Sequence, residues 1–402
     1  MRSRSRRNAR LGAGLLVATL AGSALATAPG QAAPGLEVAL QDDNVFLAQY
    51  YHGREQALAQ ARQLGVTRLR ANVKWAGVVR RPKGRKAQRR YDWAAHDSLI
   101  ADAARYGIRL QLTFTGPAPA WATSNRKVGA RGVRAKLYGQ FVRAAAKHFK
   151  GRVDRYSIWN EPNWHTQLEP TNNCRKNDWS KGCDARLGAL YRALYVAGHR
   201  AIKAVDPQAQ VLFGELAPQQ SGTPREPTAY ASSPLTILRA ITCSKRSWKA
   251  ARRCSGLRAD GFAHHPYAFS SAPDQVVGRK DDVTLATLDR LTTALDRLAA
   301  RGALRTPSGA PMELYLTEHG YMQSGPRMLP ESTRAAYLRQ SFDQALAHPR
   351  VRQLLQYLLT APPQRQDLFP TQIINHDGSP TDSFGALADW SALNALQLAG
   401  AA

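Results

Sequence analysis

The stretch from residue 108 to residue 161 contains one copy of the pattern that organises the chain. It begins with IRLQLTFTG (108–116), a short β-type run, and continues with the helical segment VRAKLYGQFVRAAAKHFKG (133–151). A second β-type run, VDRYSIWNE (153–161), follows directly. A strand, a helix and another strand in this order predict two parallel strands joined by a helical crossover.

The same alternation runs from about residue 35 to residue 400. The predicted strands cover residues 36–40, 67–75, 108–116, 153–161, 209–216, 259–267, 312–320 and 351–360. The predicted helices cover residues 54–65, 92–107, 133–151, 184–207, 234–241, 284–302, 331–348 and 384–399. Four of these helices close on Gly65, Gly107, Gly151 and Gly302, where a left-handed residue after the helix suits glycine.

Eight strand-helix units without an obvious linker predict a closed (β/α)₈ TIM barrel of the α/β class, as a single domain over residues 35–400 with elaborated βα loops. The alternative is a doubly wound sheet, which would want a glycine-rich turn after its first strand. LQDDNVF (40–46) offers none. The carboxyl ends of barrel strands carry the active site, and the loops after the fourth and fifth strands are long and irregular.

The N-terminus has the composition of a targeting segment. MRSRSRRNAR (1–10) is basic, and LGAGLLVATLAGSALA (11–26) is an apolar run that ends on small residues. This predicts a secretory signal peptide over residues 1–26, with Ala33 as a later cleavage point and with the Sec and twin-arginine routes both open. A membrane anchor is the alternative, but the run is short and rich in Gly, Ala and Ser. We therefore expect a secreted, extracellular protein without a transmembrane segment.

The chain is strongly basic, with a formal charge of +27. Loss of the five arginines in residues 1–10 would leave +22. Such a charge favours anionic surroundings, among them acidic polysaccharide, cell-wall polymer, a membrane surface or nucleic acid. Only RRPKGRKAQRR (80–90) is a dense basic run, and it has the character of a solvated loop without a nucleic-acid motif. No specific nucleic-acid partner is expected, whereas cell-wall association is compatible with the charge.

The four cysteines suit an oxidising compartment. Cys174 and Cys183 bracket one loop, and Cys243 and Cys254 bracket another. Three connectivities can be drawn, and the two local pairs are favoured because each closes a short loop. A zinc site is the rival interpretation, but no CxxC or nearby histidine spacing supports it.

Several acidic residues stand at predicted strand ends. Glu161 ends the fourth strand and Glu318 the seventh; Glu215 lies near the end of the fifth, and Asp42 and Asp43 follow the first. A carboxylate directly after a buried apolar run is costly unless it is hydrogen-bonded or functional. Two carboxylates that face each other across a barrel mouth suit glycoside hydrolysis, in which one protonates the leaving oxygen and the other attacks C1 or activates water.

Two of these strand ends resemble a known group of enzymes. WNEP (159–162) and TEHG (317–320) are similar to the motifs of the clan A glycoside hydrolases, which are retaining (β/α)₈ enzymes, and IWNEPN (158–163) most resembles the family 39 and family 5 members, cellulase- or xylosidase-like. The resemblance extends over the whole barrel. It implies that Glu161 is the acid/base, that Asn160 holds the sugar 2-hydroxyl, and that Glu318 is the nucleophile.

The same resemblance assigns three further residues. Arg70 matches the arginine that ends the second strand and steadies the nucleophile; the alternative is an ion pair inside the barrel. His265 and Tyr267 in HHPY (264–267) match the sixth-strand residues that flank the nucleophile. A metal site formed by His264, His265 and His319 is the alternative, but no second spaced ligand set supports it.

The chain departs from the family pattern at the eighth strand. These families place a tryptophan there, beneath the sugar, whereas QYLLTAPP (356–363) offers Leu359 and Thr360. The platform is then expected elsewhere, with Trp121 after the third strand as the candidate. Trp75, Trp164 and Trp179 are either sugar platforms or packing residues.

Two local questions stay open. Strict alternation along a strand would turn Asn160 and Glu161 to opposite faces, so we expect a bulge or twist there. For Glu215, substrate contact and rim structure are equally compatible with the sequence.

Together these observations predict a retaining O-glycoside hydrolase that acts by double displacement on a polysaccharide or oligosaccharide, without metal or organic cofactor. The long loops favour a groove for polymer, and the charge favours an anionic one. The alternatives are an inverting glycosidase and a secreted barrel that binds carbohydrate without catalysis. We expect a monomer.

Overall fold

The computed structural model describes residues 35–80, 90–171, 182–222, 230–363 and 369–400. The chain divides into two units, of which one is Gly35–Ala402. The other unit, Met1–Pro34, contains the predicted signal peptide and lies outside the described residues, as do Cys174 and Trp179.

Eight parallel strands form a closed barrel. They are β1 (Glu37–Gln41), β2 (Arg68–Lys74), β3 (Arg109–Thr115), β4 (Arg155–Ile158), β5 (Gln210–Leu216), β6 (Gly261–His264), β7 (Leu314–His319) and β8 (Val351–Tyr357). Each strand pairs with its neighbours in the chain, and β8 closes the barrel against β1 with Glu37 opposite Gln353. The predicted barrel is therefore confirmed, and closure excludes the doubly wound alternative.

The helices follow the strands around the outside. The longer ones are α1 (Arg54–Gln63), α2 (Ala94–Arg105), α3 (Ala135–Phe149), α4 (Cys183–Lys203), α5 (Pro234–Ile241), α6 (Leu288–Ala300), α7 (Glu331–Ala347) and α8 (Asp382–Gly400). Shorter turns occupy Asp43–Phe46, Trp75–Val78, Ala120–Ala122 and Leu285–Thr287. A second, two-stranded parallel pair joins Leu257–Arg258 to Leu304–Arg305.

Four glycines end helices in the left-handed conformation that the sequence predicts. The φ angles at Gly65, Gly107, Gly151 and Gly302 are 70°, 65°, 78° and 69°. An L-residue with a Cβ is strained in this region, so glycine stops each helix and lets the chain turn back toward the next strand.

The main apolar core lies between the strands and the helices, whereas the inside of the barrel is largely polar. At its amino-terminal end Arg155 on β4 reaches across to Gln353 on β8 (2.6 Å) and bonds Glu37 on β1. Glu37 also accepts a hydrogen bond from Arg68 on β2 (2.9 Å). Partial burial would raise the pKa of Glu37, but the charges of Arg155 and Arg68 outweigh it and lower the pKa.

One of the two predicted disulfides lies within the described residues. Cys243 and Cys254 are bonded, with their Cα atoms 6.2 Å apart, and they close a loop between α5 and β6. The other predicted pair includes Cys174 and so lies outside them. Among the described helices, none is both long enough and apolar enough to span a bilayer.

Candidate active site

Glu161 stands just beyond the end of β4, on a backbone that is no longer extended. The strand ends at Ile158, and both Trp159 (φ 68°) and Glu161 (φ 41°) adopt left-handed conformations. Strand alternation is therefore broken, and Asn160 and Glu161 both turn toward the barrel mouth. The expectation of an irregularity here holds, although it is a turn after the strand rather than a bulge within it.

The side chains of these two residues find partners on different strands. The Asn160 side-chain oxygen accepts a hydrogen bond from Arg70 on β2 (2.6 Å). Glu161 Oε1 lies 3.0 Å from His265 Nδ1, just after β6. Glu161 is 8% exposed, so its carboxyl group is nearly buried but remains accessible from the mouth of the barrel.

Glu318 lies within β7 and faces Glu161. Its Oε1 accepts a hydrogen bond from Arg70 Nη1 (2.7 Å), and its Oε2 accepts one from the Tyr267 hydroxyl (3.2 Å). One oxygen of Glu318, one oxygen of Glu161 and one nitrogen of His265 all lie within 4.8 Å of one another. The two carboxyl groups are thus close enough to act on the same bond.

Arg70 is the central cation of this cluster and is almost completely buried. It donates to Asn160, to Glu318, to Thr113 Oγ1 (3.0 Å) and to the Gln41 side chain, and its Nη2 lies 3.1 Å from Glu215 Oε2. Burial alone would lower the pKa of Arg70, but Glu215 and Glu318 outweigh it and raise the pKa. The guanidinium is therefore a fixed positive charge between two carboxylates.

His265 bridges the acid candidate and a third carboxylate. Its Nδ1 lies 3.0 Å from Glu161 and its Nε2 2.8 Å from Glu215 Oε2. Burial would lower the pKa of His265, but Glu318, Glu161 and Glu215 raise it to about 9. The imidazole therefore carries a proton on each nitrogen at neutral pH.

The two carboxylates nearest Arg70 differ in their surroundings. Burial would raise the pKa of Glu215, but Arg70 and His265 lower it to about 2, so this residue is ionised. Burial raises the pKa of Glu318, and the neighbouring Glu161 adds to the effect, while His265 and Arg70 oppose it. The environment of Glu318 therefore combines one carboxyl neighbour, Glu161, with two cationic neighbours, Arg70 and His265.

Six of the seven residues predicted to form the site are brought together: Glu161, Glu318, Asn160, Arg70, His265 and Tyr267. The seventh, Trp121, is on a short turn after β3. Its ring meets Trp75 edge-on at 5.5 Å, and it lines a cavity of ≈ 570 Å³ along the outer side of α3 together with Arg134, Arg143 and Lys147. Its role in binding sugar stays a prediction.

The remaining tryptophans separate into packing and site-adjacent residues. Trp75 is fully buried and stacks on Phe141 at 5.2 Å, so it is a core residue. Trp164 follows the acid candidate by three residues, is half-buried, and has an indole N–H with no partner among the described residues.

The end of β8 differs from what the sequence suggested. Leu359 and Thr360 are buried, and their backbone N–H groups donate to the Asp42 carboxylate (3.1 and 3.2 Å). Burial raises the pKa of Asp42 to about 7. Neither Leu359 nor Thr360 can therefore lie under a sugar, and Asp42 holds the chain after β8 against the chain after β1.

Tyr357, the last residue of β8, supplies an aromatic side chain at the end of that strand. It is half-buried, and burial together with the nearby charge of Glu318 raises its pKa. Its ring lies 6.2 Å from the Phe369 ring, which in turn meets Tyr267 edge-on at 4.8 Å. An aromatic wall therefore stands beside Glu318.

The other two histidines considered as metal ligands point away from the cluster. His264 Nε2 lies 2.8 Å from the Val283 carbonyl oxygen, and His319 Nε2 lies 2.9 Å from the Ser341 hydroxyl. Burial lowers the pKa of His264 to about 4 and that of His319 to about 3. Both are neutral packing residues.

In the described part of the chain, three donors close enough to surround a cation come from Glu161, His265 and Glu318. Arg70 and the protonated His265 already place positive charge against these carboxylates. A metal ion would have to displace that charge, so the donor set suits an organic substrate better than a cation.

Sequence reasoning missed several residues that hold the site. Gln41 and Thr113 anchor Arg70, and Thr317 donates to Glu215 (2.6 Å). Asn163, the last residue of WNEPN, bonds the Ala217 backbone at N–H and C=O (2.9 and 3.0 Å) and so fixes the loop that carries Glu161. One signal was available, because polar residues at alternate positions of predicted barrel strands indicate side chains inside the barrel.

Several solved structures are similar to this chain in fold. No family model matches the sequence, and no curated protein matches it. A family 39 glycoside hydrolase from the gut symbiont Bacteroides cellulosilyticus WH2 aligns over 89% of this chain and 63% of its own, with a TM-score of 0.60 and 17% identity. This chain has the same fold.

Two further structures extend the comparison. A family 39 β-xylosidase from Caulobacter crescentus aligns over 90% of this chain and 71% of its own (TM-score 0.54, 17% identity). Xylanase 10B from Thermotoga maritima aligns over 90% and 97% (TM-score 0.54, 13% identity). This chain therefore spans less than two thirds of the Bacteroides enzyme and nearly the whole of the Thermotoga xylanase.

Proposed function

We propose that the protein is a retaining O-glycoside hydrolase. The observation that carries this proposal is the pair Glu161 and Glu318, which approach within 4.8 Å at the carboxyl ends of opposed barrel strands. Retaining enzymes hold their two carboxyl groups about 5 Å apart, whereas inverting enzymes leave about 6.5–9.5 Å for a water molecule. The separation favours retention and disfavours the inverting alternative.

In the first step Glu318 is the nucleophile and Glu161 the acid. A Glu318 carboxylate oxygen bonds to the sugar C1 while the bond from C1 to the glycosidic oxygen breaks, and the Glu161 proton passes to that oxygen. Arg70 and Tyr267 both donate hydrogen bonds to Glu318. These donors stabilise the negative charge on Glu318 and oppose the effect of burial on its pKa. The proposed first step requires Glu161 to hold the proton.

In the second step the roles reverse at Glu161. Its carboxylate takes a proton from a water molecule, the water oxygen bonds to C1, and the ester bond to Glu318 breaks. The product keeps the anomeric configuration of the substrate. Glu161 is protonated again and Glu318 ionised, so the site returns to its starting state.

The neighbouring side chains supply substrate contacts. Asn160, fixed by Arg70, offers its amide N–H₂ to the sugar hydroxyl next to C1, a contact that strengthens as charge develops at C1. Tyr357 and Phe369 supply the apolar face that the missing eighth-strand tryptophan would give. Trp164, whose indole N–H has no partner in the described part of the chain, lies in sequence close to the acid and suits the leaving-group side.

The substrate class is a neutral or acidic polysaccharide or oligosaccharide in an extracellular setting. The neighbours of similar fold include a β-xylosidase and a xylanase. The positive charge of the chain favours an anionic polymer. The disulfide between Cys243 and Cys254 is compatible with export.

A panel of aryl glycosides and polysaccharides tests this proposal, with the wild-type chain beside Glu318→Gln. The expected result is that one or more glycosides are hydrolysed and that Glu318→Gln loses at least a thousandfold in kcat. Proton NMR of the first-formed product should show the substrate's own anomer. No turnover of any member of the panel, or full activity in Glu318→Gln, would sink the proposal and favour a carbohydrate-binding barrel.

A further inference from the structure

The mechanism above leaves a third carboxylate without a role. Glu215 on β5 has 0% of its surface exposed, so it cannot touch a substrate. A fully buried carboxylate is costly unless cations and hydrogen-bond donors surround it. Its presence beneath two catalytic carboxyl groups therefore needs an explanation.

Two contacts join Glu215 to the nucleophile. Arg70 lies between the two residues, 3.1 Å from Glu215 Oε2 and 2.7 Å from Glu318 Oε1. Thr317, which directly precedes Glu318 on β7, donates its hydroxyl to Glu215 Oε2 (2.6 Å). Glu215 thus holds both the cation on the nucleophile and the strand that carries it.

Two further contacts join Glu215 to the acid/base. His265 bonds Glu215 through Nε2 (2.8 Å) and Glu161 through Nδ1 (3.0 Å). The backbone N–H of Glu161 donates to the Glu215 carbonyl oxygen (2.8 Å). The residue that anchors the nucleophile therefore also anchors the acid/base.

The backbone of β5 is distorted to bring this side chain inward. Gly214 (φ 116°) and Glu215 (φ 52°) are both at positive φ, and the pairing of β5 with β6 shifts register between Gly214 and Leu216. A Cβ at Gly214 would lie 2.4 Å from the Ala263 carbonyl oxygen. The bulge turns Glu215 into the barrel, and strained backbone of this kind concentrates at functional sites.

We propose that Glu215 is a positioning residue that sets both the separation and the charge of the catalytic pair, acting through Arg70 and His265. This inference rests on the proposed function and deepens it. Glu215 holds Arg70 against Glu318 and keeps both imidazole nitrogens of His265 as donors, so that one of them faces Glu161.

The charges around His265 define what the loss of Glu215 would do. Glu161, Glu215 and Glu318 face the imidazole, and the neutral His264 precedes it. Arg70 contacts the same oxygen of Glu215, Oε2, as His265 does. With Glu161 protonated, two carboxylates balance two cations. Removal of the Glu215 charge leaves two buried cations against one carboxylate, and His265 is the one that can lose its proton, because an arginine does not.

Glu215→Gln tests the proposal because the amide has the size of the carboxyl group but no charge. We expect kcat on the best aryl glycoside to fall about 10²-fold through misplacement of the reacting groups. KM should change less than threefold, because Glu215 touches no substrate. In histidine ring NMR, with the signal assigned by comparison with His265→Gln, the pKa of His265 should fall from about 9 toward its ordinary value, because Glu318 and Glu161 still lie beside the ring.

Two variants complete the experiment. Glu37→Gln is the matched control, since Glu37 is a carboxylate at the opposite end of the barrel interior that bonds Arg68 and Arg155. It should leave kcat within threefold and the His265 titration unchanged. Glu215→Asp keeps the charge, so His265 should still titrate well above its ordinary pKa while kcat recovers part of the loss.

The experiments distinguish failure of this inference from failure of the proposed function. Glu215→Gln with kcat within threefold of wild type and an unchanged His265 titration would overturn the inference, as would equal effects from Glu37→Gln. If Glu215→Gln does not fold, Glu215→Asp decides by kinetics. The shorter side chain should misplace Arg70 and His265, so kcat should fall at least about tenfold with KM within threefold of wild type. A kcat within threefold of wild type would overturn the inference. If the wild-type chain hydrolyses no glycoside, the proposed function fails, and the His265 titration alone still tests whether Glu215 controls that charge.

Discussion

Replacement of Arg70 by methionine removes the guanidinium group that stands between the buried carboxylates of Glu215 and Glu318. Methionine has a similar length and no charge, so the space stays filled while Glu215 and Glu318 lose their shared partner. Removing one partner from a buried ion pair leaves an uncompensated charge, which is among the most destabilising single changes in proteins.

The pKa of Glu215 gives the size of the expected loss in the free energy of unfolding. Arg70 and His265 lower it from 4.5 to about 2 against the opposing effect of burial. A shift of that size corresponds to about 3 kcal/mol of folding stability at neutral pH. Breaking a buried pair costs about 3–5 kcal/mol in other proteins, so we expect Arg70→Met to lower the free energy of unfolding by a similar amount.

The pH dependence of this loss has a definite sign. Because the pKa of Glu215 is lower in the folded than in the unfolded chain, its stabilising contribution is fully present above about pH 4.5 and fades as the pH falls toward 2. The stability difference between wild type and Arg70→Met should therefore be largest at pH 7. It should shrink to about half near pH 3.

Urea unfolding followed by circular dichroism at pH 7 and pH 3 measures both quantities. Arg297→Met is the matched control, since Arg297 is exposed and makes no ion pair within the described residues; it should change the unfolding free energy by less than about 0.5 kcal/mol. A loss below about 1 kcal/mol for Arg70→Met at pH 7, or a loss that grows toward pH 3, would refute the charge assignment.

Three further predictions concern the acid, metals and the disulfide. Glu161→Ala should lower kcat at least 10²-fold on glycosides with poor leaving groups. With an activated aryl glycoside, sodium azide should restore turnover and give a glycosyl azide of retained configuration. No azide product would argue against Glu161 as acid/base. Dialysis against EDTA should leave kcat unchanged, because Arg70 and His265 supply the positive charge at the site, and a loss restored by added metal would contradict this. The double variant Cys243→Ala, Cys254→Ala frees a loop with a sequence separation of 11 and should lower the free energy of unfolding by about 3 kcal/mol. It should leave kcat within twofold. Calorimetry measures the first effect and kinetics the second.

The alternation of strand and helix could be predicted from the sequence because each element carries its own signal. All eight predicted strands are present within a few residues of their predicted bounds. The signals are local: short β-type runs, helical spacing and glycine stops such as Gly151. The closed barrel followed from their number and from the absence of a glycine-rich first turn.

The residues that meet at the barrel mouth could be predicted only in part from the sequence. Glu161 and Glu318 stand at strand ends, where position alone marks a carboxylate as functional. The position of the Glu215 side chain could not be predicted from the sequence. Strict alternation would point it outward, and only the bulge after Gly214 turns it into the barrel. Such a bulge depends on tertiary packing against β6, which the local sequence does not encode.

The sugar platform is the part that sequence reasoning located poorly. Tyr357 was not predicted as a platform, because the predicted eighth strand ran to residue 360. The strand ends at Tyr357, and the next residues are buried. Element ends are set by tertiary contacts such as the Asp42 carboxylate bonding Leu359 and Thr360, which join positions over 300 residues apart in the chain.

The central claim is that Glu318 forms a covalent bond to the sugar while Glu161 moves the proton. The most direct measurement is intact and peptide mass spectrometry after incubation with the dinitrophenyl 2-deoxy-2-fluoroglycoside that matches the aryl glycoside best hydrolysed by the wild-type chain. We expect one fluoroglycosyl adduct per chain, on the peptide that contains Glu318, and none on Glu318→Gln. An adduct on another residue, or turnover of the parent glycoside with inverted product and no adduct, would contradict it.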